Sequence, residues 1–196
     1  MKTHINSTIQ TIFRRRSIGK LVEPGPNDTE VITIVRAGAA APDHKLTKPF
    51  WFVVFEGNAR QEFGAVLARA LVSRLDAQGL EPTPGQLAKE HEKLLRAPLV
   101  IAVCARMHEN VDLPAQEIIS AGAAAAQNML LAATALGYGS IWRTGESAYN
   151  NDVKAALGLA RTDFIIGFLY FGSLKDNAYI EPNDPNIAEI LTIWES

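Results

Sequence analysis

Seven consecutive apolar residues, Leu99-Val100-Ile101-Ala102-Val103-Cys104-Ala105, constrain this chain more than any other feature. A strand with one wet face alternates apolar and polar side chains, so an unbroken run predicts a strand covered on both faces. Phe50-Trp51-Phe52-Val53-Val54-Phe55 is a second such run, ended by Glu56-Gly57-Asn58, and Tyr138–Trp142 and Phe164–Phe171 read as two further strands. Helical spacing fills the intervals. Phe63, Val66, Leu67, Ala70, Leu71 and Leu75 mark one helix, Gln86–Leu95 a shorter one, Pro114–Leu136 a long helix of small residues, and Asn151–Leu157 a short one. Two helices precede the first strand. Ile5, Ile9, Ile12 and Phe13 recur as one buried face, and the second helix opens on Asn27, with Glu30 placed to complete a capping box. Val31, Ile34, Val35 and Gly38 form its inner face, and Pro42 ends it. Helices interleaved with covered strands predict an α+β domain of three layers, α-β-α, and two helices in succession exclude a simple βαβ repeat.

The 196 residues fit a single domain, 1–196, with a core large enough to need no metal or disulfide. A composition of 47% hydrophobic and 20% charged residues with net charge −2 gives no global attraction for nucleic acid or an anionic membrane, so neither is expected as a partner and any anion site must be local. Cys104 has no partner thiol, which excludes an intrachain disulfide and fits a reducing compartment. The N-terminal residues lack the apolar core of a signal peptide, so a cytoplasmic protein is expected. Ile118–Leu136 approaches transmembrane length but is mostly alanine, with Ser120, Gln127 and Asn128, and reads as a buried helix. The tail from 177 to 196 carries Ile187, Ile190, Leu191, Ile193 and Trp194, so it is expected to dock, preferentially on a second subunit.

Common chemistries are missing from the sequence. It contains neither a P-loop nor a Gly-x-Gly-x-x-Gly fingerprint, and no Gly-x-Ser-x-Gly elbow. The histidines His4, His44, His91 and His108 are dispersed, so no metal site is expected.

Three polar clusters stand against apolar surroundings. Arg14-Arg15-Arg16-Ser17 closes the first helix; a run of like charge is most often a solvated face, but guanidinium forks beside a hydroxyl also suit a phosphate monoester. On a helix these arginines cannot share one face, which leaves Arg15 with Ser17, or Arg16 with Ser17, as pairs. Asp43-His44-Lys45 lies in a loop before a strand, where His44 either is satisfied locally or meets a ligand. Trp142-Arg143-Thr144-Gly145 can lie along a flat aromatic ligand, with Gly145 permitting close approach.

With these residues the chain resembles the nitroreductase family of FMN-dependent oxidoreductases over nearly its whole length. The anchors are Arg15-Arg16-Ser17, Arg36-Ala37-Gly38 leading to Ala41-Pro42-Asp43-His44-Lys45, Pro49, Gln116-Glu117, Ser120-Ala121-Gly122, Ile141-Trp142-Arg143 and Gly167-Phe168-Leu169-Tyr170. The resemblance implies a central, mostly antiparallel sheet flanked by helices and a homodimer with FMN sites at the subunit interface. It implies a ping-pong reaction in which NADH or NADPH is the co-substrate and nitroaromatics, quinones or similar small flat molecules are the electron acceptors. Arg15, Arg16 and Ser17 would hold the FMN phosphate and ribityl chain. His44, with Lys45 or Lys48, would reach the flavin of the other subunit. Trp142, Arg143 and Thr144 would line the ring, with a backbone amide near Thr144 or Gly145 at flavin N5. No side chain need act as acid or nucleophile, because the cofactor carries the redox chemistry.

The chain also departs from that pattern. Leu46 and Lys48 stand where many members carry Asn and Gln, and Lys175 alone stands near the place of a further basic pair in larger relatives. The alternatives are an FMN-binding protein without turnover, a flavin-dependent dehydrogenase of an unrelated metabolite, or a phosphate-ligand binding module that uses the arginines alone.

Overall fold

The computed structural model describes residues 6–107, 112–175, 181–182 and 185–195. Its elements are α1 (Ser7–Arg14), β1 (Leu21–Val22), α2 (Asp28–Ala39), β2 (Phe50–Phe55), α3 (Ala59–Asp76), α4 (Pro84–His91), β3 (Leu99–Ala105), α5 (Ala115–Ala135), β4 (Gly139–Arg143), α6 (Asn151–Ala156) and β5 (Phe164–Leu174). Single 3-10 turns occur at His44–Leu46, Lys93–Arg96 and Glu146–Tyr149. The named strand pairings are all antiparallel: β5 pairs with β3, β4 and β1, and β3 pairs with β2.

Alternate residues of β3 feed two separate cores. Val100, Ala102 and Cys104 pack with Phe63, Leu67, Leu94 and Val153 on the side of α3 and α6. Leu99, Ile101 and Val103 pack with Ile34, Ile118, Met129 and Leu130 on the side of α2 and α5. This is the three-layer α+β arrangement. α5 meets a length-and-composition test for a membrane span, yet Ile118, Ala125, Ala126, Met129 and Ala133 on it are buried in the core. The register of β5 against β3 shifts between Val103 and Cys104. Beyond that bulge Ile165 and Phe168 share one face, and Ile166 and Leu169 the other.

Asn27 and Glu30 form the expected capping box on α2, and the Glu30 carboxylate also accepts from the Tyr138 hydroxyl at 2.8 Å. Several expectations are corrected. β2 is not fully covered on both faces: it lies at the sheet edge, and Trp51 and Val54 on it are exposed. β1 is a fifth strand with no run of its own to announce it. Ile5 lies outside the described residues. Ile9 and Ile12 on α1 are 42% and 41% exposed, so the apolar face of that helix is not buried within the chain.

Candidate functional site

The arginine run is only partly helical. Asn6 caps α1, and after Arg14 the chain leaves the helix: Arg15 is extended (φ −60°, ψ 124°), its amide closing the last turn on the Thr11 carbonyl at 3.0 Å. The helical spacing expected for Arg15 and Arg16 is therefore corrected. In extended chain side chains alternate, so the pair that can face one side is Arg15 with Ser17. Ser17 forms a parallel bridge with Ser140, and the Ile18 amide donates to the Ser140 carbonyl at 2.9 Å. The arginine segment thus lies along β4. Ser140 is 1% exposed and its hydroxyl has no hydrogen-bond partner among the described residues.

β4 carries the chain from that bridge to the second cluster. Trp142 is half-buried against the α2/α5 core, and its indole N–H donates to the Ile166 carbonyl at 3.1 Å. A Cβ on Gly167 would lie 2.1 Å from Trp142 Nε1 and 2.9 Å from the Arg143 carbonyl oxygen, so only glycine fits beneath the indole. Arg143 is exposed, and its guanidinium comes within 3.5 Å of where a Cβ on Gly19 would be. Its guanidinium therefore reaches the chain two residues past Ser17. Thr144 and Gly145 follow in an exposed turn; Gly145 has φ 88°, and nothing lies within 4 Å of its missing Cβ. Lys175 follows β5, whose last residue, Leu174, pairs with Leu21. The bridge sets Ser17 two residues from Trp142 along β4, and because the pairing is parallel, Arg15 and Arg16 run back toward Gly139.

Residues 43–48 are not brought to β4. Their loop precedes β2, and β3 and β5 separate β2 from β4. Three inter-strand spacings amount to about 14 Å. Asp43 organises the loop: its carboxylate accepts from Thr47 Oγ1 at 2.8 Å and from the Lys48 amide at 2.5 Å. Lys45, Leu46 and Lys48 all have positive φ (58°, 53° and 50°), a left-handed backbone that costs side-chain-bearing residues about 1 kcal/mol or more each. Leu46 is 80% exposed. Lys45 Nζ donates to the Asp112 carbonyl at 3.3 Å, and His44 Nδ1 contacts Glu117 Oε2. Pro42, Asp43, His44, Glu117, Ser120 and Ala121 line an open cleft of about 690 Å³.

Glu117 escaped the sequence reading as a site residue. Its only signal was the Gln116-Glu117 pair, because its contact with His44 joins a helix to a distant loop. Among the described residues no group of three His, Cys, Asp or Glu side chains is placed to hold a metal. The one thiol is inert, because burial pushes Cys104 up to about 12.

The nitroreductase family model matches residues 12–173. YdjA of Escherichia coli K12, whose name assigns it provisionally as an NAD(P)H nitroreductase, is 37% identical over 180 residues, covering 90% of this chain and 94% of that protein. A nitroreductase-like protein from Bacillus cereus superposes with TM-score 0.78 at 23% identity, with both chains fully covered. A nitroreductase with bound FMN from Bacteroides fragilis superposes with TM-score 0.70 at 23% identity, covering 97% of this chain and 100% of that one.

Proposed function

The chain belongs to the nitroreductase family, and from that premise we propose that it is an FMN-dependent oxidoreductase that uses NADH or NADPH to reduce nitroaromatics, quinones or similar flat acceptors. The observation that carries the reading is the parallel bridge between Ser17 and Ser140, which lays the arginine segment along the strand leading to Trp142-Arg143-Thr144-Gly145.

These residues fit the cofactor. Arg15 and Ser17, with Arg16 beside them, supply charge-assisted donors for a phosphate monoester, and the unpartnered Ser140 hydroxyl lies next to them. Arg143 and the open backbone at Thr144 and Gly145 offer a cation and close amide approach to a flat ring. Trp142 supports that wall by its edge, its N–H being committed to Ile166. FMN held there would supply the redox chemistry between the nicotinamide and the acceptor. The chain's own residues bind and orient.

A site that also uses His44, Lys45 and Lys48 has to draw them from a second copy, since β3 and β5 stand between the two groups in one chain. The reading therefore includes a homodimer with FMN at the interface. The unburied apolar face of α1, and the exposed tail with Ile190 at 78% and Trp194 at 93%, supply apolar surface for that contact.

The test is to load the purified protein with FMN and follow NADH- or NADPH-dependent reduction of a nitroaromatic and a quinone. A protein that does not retain FMN contradicts the reading. One that retains FMN which neither nicotinamide reduces is a flavin-binding protein without turnover.

A further inference from the structure

Glu117 stands in the first turn of the 21-residue helix α5, where the helix terminus favours a charged carboxylate. Its Oε2 is shielded from solvent and has no hydrogen-bond partner among the described residues, and the polar atom placed against it is Nδ1 of His44. A carboxylate oxygen withdrawn from water needs a donor, and an ionised carboxylate only accepts, so of these two side chains the imidazole is the one that can supply the hydrogen. That leaves Nε2 as the nitrogen available to the cleft, on a ring whose side chain is 58% exposed.

The carboxylate of the loop and its first lysine are already engaged. Both Asp43 oxygens are taken by Thr47 and the Lys48 amide, and Lys45 reaches away to the Asp112 carbonyl. The loop that carries His44 is held with three left-handed residues, so its placement is fixed by its surroundings. We propose that Glu117 is a positioning residue: it keeps the His44 proton on Nδ1 and so presents Nε2 as a polar contact to FMN held by the partner subunit. The proposal rests on the FMN reading above, and the arrangement is that of a carboxylate setting an imidazole tautomer.

The experiment records the side-chain nitrogen NMR signals of His44, assigned by their loss in His44→Asn, together with fluorescence titrations of FMN. Wild type, Glu117→Gln and Glu117→Leu are compared. The wild-type protein shows protonated Nδ1. Glu117→Gln, whose amide carbonyl can still accept, keeps that tautomer and stays within about threefold of wild-type FMN affinity. Glu117→Leu moves the proton to Nε2 and weakens FMN about tenfold, the scale of one lost polar contact. Combining Glu117→Leu with His44→Asn costs no more than His44→Asn alone. Unprotonated Nδ1 in the wild type overturns the proposal even if every variant fails to fold, and so does a Glu117→Leu protein with unchanged tautomer and affinity. Wild-type protein that binds no FMN overturns the functional reading instead, and the NMR signature tells the two failures apart.

Discussion

Ser17 lies beside Ser140 in a parallel bridge, with the Ile18 amide donating to the Ser140 carbonyl at 2.9 Å. That contact lays the end of a basic run beside β4. It also separates Arg14, which is still helical, from Arg15 and Arg16, which are not.

Replacing Arg15 and Arg16 together by Ala is expected to weaken FMN binding by at least roughly tenfold, since a hydrogen bond to a charged group contributes about 1.5–3 kcal/mol. Arg14→Ala is expected to change it less than about twofold. Calorimetric titration with FMN and with riboflavin checks both statements, because riboflavin lacks the phosphate and its affinity should be indifferent to the double substitution. An Arg14→Ala loss as large as that of the pair contradicts the assignment.

Gly167→Ala places a methyl group 2.1 Å from Trp142 Nε1. The indole must move, breaking its bond to Ile166, and a loss of about 1–3 kcal/mol in urea unfolding is expected. In a Trp142→Ala background the same substitution should cost clearly less, and a double-mutant cycle measures the difference.

How far the sequence could be read follows from where each signal arises. β3 was read to the residue because covering on both faces leaves an unbroken apolar run. β2 carries a similar run yet lies at the sheet edge, since strand order depends on pairing partners and not on the strand's own composition. β1 has two residues and exists because the end of β5 offers it a partner. The helical period of α1 was visible; what its apolar face packs on was not. The arginines, Trp142 and His44 stand out in the sequence by residue type and order. Ser140, Gly167 and Glu117 matter through contacts across the fold, which no local pattern records.

Burial raises the Cys104 thiol from an ordinary 9.0 to about 12, and the Tyr170 hydroxyl from 10.0 to about 12. Both groups keep their protons in the folded protein at pH values where the unfolded chain releases them. Stability is therefore expected to fall as pH rises from about 9 toward 12, and to be independent of these groups below about 8. Urea unfolding across that range checks the direction, and Cys104→Ala should flatten its onset near pH 9. Native protein should also resist a thiol reagent at pH 8 and react once unfolded.

Ending the chain after Lys175 removes the exposed tail that includes Ile187, Ile190, Leu191, Ile193 and Trp194. The shortened protein is expected to keep its fold by circular dichroism and to dissociate at higher concentration in sedimentation velocity. An unchanged dimer would exclude the tail from the interface.

In the proposed dimer each FMN site takes residues 15–17 and 142–145 from one chain and residues 43–48 from another. Co-expressing a chain carrying Arg15→Ala and Arg16→Ala with a differently tagged chain carrying His44→Ala and Lys48→Ala tests this arrangement, with FMN titrated into the purified mixed dimer. The account predicts wild-type affinity at half of the sites, although each parental homodimer binds weakly at both. Weak binding at every site of the mixed dimer would contradict it, because the defects would then fall in sites built within single chains.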